Sequence, residues 1–354
     1  MNAGANPWRA SSPCSPRCVT HRLPPVPTME SVRRTVALAT VLTGTASDDN
    51  TDHRNADHRN ADVRDTGTPD VRHRAAAALD ALGITFTATG PLTPNPQHRP
   101  MDAAVRQRVD EGRWPGDERA QHGPRNPQHG LWNPQHGPRN PQHGGSGVGT
   151  LVVANHVSWL DIPVLLALEP VTFLAKREVA RWPFVGRQAR RMGTLLLDRW
   201  SLRGLPATVD AVAERLRAGE TVAVFPEATT WCSSPGGPFR RAVFQAAIDV
   251  GAPVRPVTLS YRQRGAPSTV AAFVGDDGLA ASLARVVRAR DLSVHVDVGR
   301  HLEPVGDRRT LARRAQHAVQ GGSTTRTTCA ADTVHHTDTD THADTEARTG
   351  AAHV

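Results

Sequence analysis

Leu151-Val152-Val153-Ala154-Asn155-His156-Val157-Ser158-Trp159-Leu160-Asp161-Ile162 decides the fold. Four apolar residues are followed by a polar turn and then by a second apolar stretch, Ile162–Leu168, at helical spacing. The first run reads as a buried strand and the second as a short helix. The same alternation continues to about Val319. Candidate strands are 150–154, 171–175, 194–197, 221–225, 254–261, 270–274 and 292–298; candidate helices are 162–168, 201–218, 239–250, 279–290 and 307–319. Short apolar strands alternating with amphipathic helices predict an α/β sandwich around a largely parallel central sheet.

Outside this block the chain is polar. Of its 354 residues only 38% are hydrophobic and 4% aromatic, which suits a normal core diluted by segments too polar to bury themselves. Residues 1–70 carry a near-repeat, His-Arg-Asn-Ala-Asp at 53–57 and 58–62. They are expected to be disordered, with Met29 a candidate true start. Structure is expected from Ala75, with a helix to Leu82 and a strand over 84–88, and the folded domain spans 75–319. A low-complexity insertion at 91–147 interrupts it. Asn-Pro-Gln-His recurs there at 95–98, 126–129, 133–136 and 140–143, and proline in each unit excludes a heptad coil. Residues 320–354 read as a disordered tail.

The net charge is +8, and nearly all the positive charge is arginine; Lys176 is the single lysine. Such a surplus favours partners bearing phosphate or an anionic membrane. A nucleic-acid partner is not expected, because no reader motif or aromatic stacking platform is present. Cys14, Cys18, Cys232 and Cys329 are scattered, which suggests reduced thiols and no metal site. No apolar run approaches the roughly 18 residues of a membrane span. Val36–Leu42 is too short to cross and a poor signal sequence.

Two readings compete at the opening motif. On one continuous helix, a five-residue offset separates His156 and Asp161 by about 140°. They meet only if the chain turns between them, with the histidine at a strand end and the aspartate in the next helix's first turn. Equally, Ser158-x-x-Asp161 resembles a capping box in which Asp161 serves backbone amides. Three further strand ends carry polar groups: Phe225-Pro226-Glu227-Ala228-Thr229-Thr230, Gly193–Arg199, and the proline-interrupted strand Val254-Arg255-Pro256-Val257. In open α/β sheets, ligands bind at that edge.

In chain order the four blocks resemble the glycerolipid acyltransferase family, whose best-known members acylate lysophosphatidic acid. Asn155 to Asp161 matches the family's Asn-His-x-x-x-x-Asp block in full, and Arg199 matches the arginine of its second block. The resemblance implies transfer of a fatty acyl group from acyl-CoA or acyl carrier protein to a lysophospholipid hydroxyl. The first expectation is 1-acylglycerol-3-phosphate giving phosphatidic acid. It also implies His156 as general base, Asp161 as its partner, and Asn155, Lys176, Arg199, Glu227, Ala228, Thr229 and Thr230 around the acceptor, with no cofactor or metal.

The third block departs from the family's Phe-Pro-Glu-Gly-Thr-Arg: Ala228 replaces glycine and Thr230 replaces a phosphate-holding arginine. Arg240 and Arg241 are candidate substitutes. A phosphate-free acceptor such as a lyso-ornithine lipid, or a catalytically weak membrane-binding relative, therefore remains an alternative. No G-x-S-x-G elbow is present, so no covalent acyl-enzyme is implied. Arg181-Trp182-Pro183-Phe184-Val185 and the arginines after it suit either a lipid interface or a basic helix face. The expected location is cytoplasmic, peripheral to the inner face of the cell membrane.

Overall fold

A computed structural model describes residues 11–20, 22–43, 71–91, 147–177, 186, 189, 193–197, 204–232 and 235–321. Eight strands form one sheet: β1 (Thr85–Thr89), β2 (Leu151–Ala154), β3 (Thr172–Lys176), β4 (Leu195–Leu197), β5 (Val222–Val224), β6 (Val254–Gln263), β7 (Ala266–Pro267) and β8 (Leu292–Val298). Their order is β1-β8-β6-β2-β5-β3-β4, with β7 a short hairpin partner of β6. The run β6, β2, β5, β3, β4 is parallel throughout, and among the described strands β6 pairs antiparallel with β8 and β7. The α/β sandwich with a largely parallel sheet is therefore as expected.

The helices are α1 (Thr28–Thr43), α2 (Val71–Ala81), α3 (Asp161–Leu168), α4 (Leu205–Arg217), α5 (Ala242–Val250), α6 (Leu279–Val287) and α7 (Arg308–Gly321). Strand β2 explains why both sheet faces are covered. Val152 and Ala154 join the core with α2, α3 and α6, while Leu151 and Val153 join the core with α4, α5 and α7. A strand buried on both sides reads as a continuous apolar run rather than an alternating one.

Two expectations are corrected. Residues 1–70 are not structureless throughout: α1 lies within them, and residues 14–20 pack on the core. Leu38, Cys14 and Cys18 are buried. Arg34 donates to the carbonyls of Val287 and Ala289 at 3.2 and 2.8 Å, and Glu30 holds its Nε at 2.8 Å. An average over seventy polar residues concealed a few well-placed anchors. Residues 44–70, the insertion from 92 to 146 and the tail beyond 321 lie outside the described residues.

The second correction concerns 270–274, which forms a buried loop instead of a strand. Its carbonyls are satisfied by a side chain rather than a ladder. Arg285 donates Nε to Val270 O at 3.0 Å and Nη2 to Ala272 O at 2.8 Å, and pairs with Asp277. A guanidinium that meets buried carbonyls lets an apolar run stay irregular. The remaining elements agree with expectation to within a few residues. The largest differences are at the starts of α2, at Val71, and of α4, at Leu205 with Pro206 in its first turn.

Candidate active site at the carboxyl edge of the sheet

Strands β2 and β5 are parallel neighbours, with Leu151 opposite Val222, so their carboxyl ends lie side by side. His156 leaves the first end and Glu227 the second. On the other flank of β2, β6 is also parallel and runs further. Asn155 extends that pairing with its side chain: Nδ2 donates to Leu259 O at 3.0 Å and Oδ1 accepts from Leu259 N at 2.7 Å. This pair of hydrogen bonds to a neighbouring backbone fixes where the following turn begins.

The turn brings His156 and Asp161 together. His156 Nδ1 lies 2.8 Å from Asp161 Oδ2. The same oxygen accepts the N–H of Val157 at 2.7 Å and of Ser158 at 2.9 Å. Asp161 thus does both things the sequence allowed: it serves backbone amides, as in the capping reading, and it holds the histidine. Ser158 is not the N-cap. It is buried, and its hydroxyl accepts the Leu160 N–H at 3.3 Å. Asp161 opens α3 itself, where a negative charge also suits the helix dipole.

Asp161 has no exposed surface, whereas the His156 side chain keeps 21%. Because Oδ2 already accepts two amide protons, it acts as an acceptor toward the ring. Nδ1 therefore carries the proton and Nε2 the lone pair. The imidazole lies flat on Phe225, with centroids 4.0 Å apart and planes 12° from parallel. Phe225 is stacked in turn with Phe173.

One residue of this constellation carried no motif signal. Tyr261, the single tyrosine of the chain, donates its hydroxyl to Asp161 Oδ1 at 2.7 Å from a fully buried position. Burial, reinforced by the Asp161 charge, pushes the phenol well above its usual pKa, so it remains a donor. Strand periodicity was the available clue. Val257, Leu259 and Tyr261 share one face of β6, the face that covers α3.

Glu227 is buried rather than solvated, and it touches the histidine's backbone. Its Oε2 accepts the His156 N–H at 2.8 Å, and Gln320 of α7 approaches Oε1 at 3.5 Å. Burial pushes the carboxyl up to about 8, and the nearby Asp161 charge adds to this against the pull of the two hydrogen bonds. Gly236 makes room for it: a Cβ there would stand 2.0 Å from Glu227 Oε1. The turn after β5 is closed by Ala228 N to Phe225 O at 3.0 Å and locked to the histidine by Trp231 N to His156 O at 2.8 Å.

Ala228 does adopt a positive φ, 62°. The Thr230 hydroxyl donates to the Phe273 carbonyl. Phe273 in turn donates its N–H to Val157 O at 3.0 Å. Thr230 therefore secures the loop over 269–277, and Thr229 is half-buried. Lys176 ends β3, opposite Leu197 of β4, on the same sheet edge. Arg199 and the 181–185 stretch lie outside the described residues, as does the Lys176 side chain. Arg240 and Arg241 are exposed.

An α/β fold with this polar strand edge has counterparts among known proteins. An acyltransferase family model matches residues 134–260. The lyso-ornithine lipid O-acyltransferase of Brucella abortus is 33% identical over 192 residues, 49% of this chain and 71% of that protein. The chain belongs to the glycerolipid acyltransferase family. The lyso-ornithine lipid O-acyltransferase of Pseudomonas aeruginosa is 43% identical over 48% of this chain. The 1-acyl-sn-glycerol-3-phosphate acyltransferase of Neisseria meningitidis is 41% identical over 42% of it. The chain spans 66% and 58% of those two relatives' own lengths. A crystal structure of a 1-acyl-sn-glycerophosphate (LPA) acyltransferase from Thermotoga maritima is similar at TM-score 0.46 and 16% identity, over 83% of this chain and 93% of that one.

Two outcomes follow for the turn after β5. Ala228→Gly removes the positive-φ penalty and is expected to stabilise the fold by roughly 1 kcal/mol in urea unfolding. Glu227 has a folded pKa raised from 4.5 to about 8. Its folded form therefore holds a proton that the unfolded chain has released, and stability falls as pH rises between those values. Glu227→Gln should flatten that slope in melting curves recorded from pH 5 to 8. An unchanged slope would mean that Glu227 is ionised in the fold.

Proposed function

We propose that this chain is a lysolipid O-acyltransferase in which His156 Nε2 removes the acceptor's hydroxyl proton as that oxygen attacks an acyl thioester. The observation that carries this reading is the His156–Asp161–Tyr261 arrangement. A partly exposed imidazole is held with its lone pair on Nε2 by a wholly buried carboxylate that is itself fully engaged. Histidine is the side chain that ordinarily exchanges protons closest to neutral pH, which suits general-base work. Asp161 stabilises the imidazolium that forms, and the substrate alcohol stands where a protease would place serine. The proton then passes from Nε2 to the departing thiolate. Glu227 orients the His156 backbone and does not hold the acceptor.

The donor is acyl-CoA or acyl carrier protein, both thioesters. The first acceptor is 1-acylglycerol-3-phosphate, with Lys176 and Arg199 proposed as its phosphate contacts. A second reading, a phosphate-free lysolipid such as lyso-ornithine lipid, is favoured by Thr230. Its hydroxyl is committed to Phe273 where the family usually carries an arginine.

Peripheral contact with the membrane's cytoplasmic face rests on α1. Met29, Val32 and Val36 lie along one side of it and are 82%, 53% and 60% exposed. An apolar stripe at this spacing, beside Arg33, suits the surface of an anionic bilayer. Among the described residues no helix is long and apolar enough to cross one. The domain limits, 75–319 with an insertion over 91–147, are widened by this reading to include residues 14–43.

The test is turnover of acyl-CoA by the purified chain with a panel of lysolipids. His156→Ala is expected to lose about 10²–10⁴-fold in kcat. Equal turnover by that variant would contradict the base. Turnover of phosphate-free acceptors alone would select the second reading.

A further inference from the structure

Three cysteines distant in sequence meet at one buried point. Cys14, Cys18 and Cys232 place their Sγ atoms within 4.8 Å of one another. The closest pair, Cys14 and Cys232, is 3.2 Å apart. A tetrahedral thiolate site with metal–sulfur bonds of about 2.3 Å has sulfur–sulfur edges of about 3.8 Å, which these separations bracket. Cys14 and Cys18 are spaced C-x₃-C across the short 3-10 turn Pro16–Cys18, within the ligand spacing common in zinc sites. Cys232 N donates to Cys14 Sγ at 3.4 Å. An amide aimed at sulfur favours the thiolate over the thiol, and such outer-shell bonds are typical of metal-bound cysteines.

We infer that Cys14, Cys18 and Cys232 form a thiolate site for a thiophilic divalent cation of the zinc type. Binding exchanges three thiol protons for one cation, M²⁺ + 3 RSH giving M(SR)₃⁻ and three H⁺, with no redox change.

The site lies behind the catalytic turn. Cys232 follows Trp231, whose N–H binds His156 O. On the other side, Thr20 N donates to Thr269 Oγ1 at 3.1 Å. Gly275 packs against Pro16 and Cys14 O so closely that a Cβ would meet them at 3.1 and 3.4 Å. A bound cation thus clamps residues 14–20 onto the two loops that frame His156. The role is structural and does not depend on which lysolipid is acylated.

The experiment is metal analysis of the full chain, purified under reducing conditions and reconstituted with Zn²⁺ or Co²⁺. About one ion per chain should survive dialysis. Cobalt should give intense thiolate-to-metal charge-transfer absorption, and all three thiols should resist alkylation until a chelator is added. Cys14→Ser, Cys18→Ser and Cys232→Ser should each abolish the retained metal and lower the melting temperature. Should a serine variant fail to fold, the wild-type cobalt spectrum and alkylation pattern decide alone. Reconstituted wild type that retains no ion, or gives no charge-transfer band, overturns the inference. So does an intact mass two hydrogens lighter, which would reveal a Cys14–Cys232 disulfide.

Discussion

The buried carboxylate of Asp161 is the constraint on which the site depends. An ionised group without solvent costs several kcal/mol to bury and persists only when its lone pairs are occupied. Here two amides, an imidazole and a phenol occupy them. The partners come from two parts of the architecture: the turn after β2, which carries both amides and the histidine, and the far end of β6. Register between β2 and β6 therefore becomes a chemical variable. Asn155 pins that register by binding Leu259 through both halves of its amide, two residues before Tyr261.

The second carboxylate acts in the opposite sense. Glu227 is also buried, yet burial dominates its titration and holds it protonated near neutrality. A neutral acid can sit beside the Asp161 charge at little electrostatic cost while its oxygen still accepts the His156 N–H. The two acids at neighbouring strand ends are offered unequal numbers of donors, two for Glu227 against four for Asp161. Gly236 and the positive φ of Ala228 show how tightly the backbone is folded around the second one.

Much of this was legible in the chain because the sheet is parallel and doubly covered. Runs such as Leu151–Ala154 and Val222–Val224 announce themselves, and the polar residues that follow them fall on one edge. The His156–Asp161 pair could be read, though its twofold use could not, since the capping and orienting readings make the same demands on sequence. Tyr261 escaped notice because a hydrogen bond across a hundred residues leaves no local pattern. Order before residue 43 was hidden for the same reason. Cys14, Cys18 and Arg34 acquire meaning only through partners at Cys232 and at Val287 and Ala289. The loop over 270–274 misled because an apolar run does not reveal whether a ladder or an arginine will satisfy its carbonyls.

The central claim is that Asp161 fixes the proton of neutral His156 on Nδ1 and leaves Nε2 as the base. The most direct measurement is the ¹⁵N–¹H correlation spectrum of the imidazole rings at a pH where His156 is neutral, assigned by comparison with His156→Ala. The expected result is a single tautomer with the proton on Nδ1, which Asp161→Asn abolishes. A wild-type His156 protonated on Nε2, or averaging freely between the two nitrogens, would contradict it.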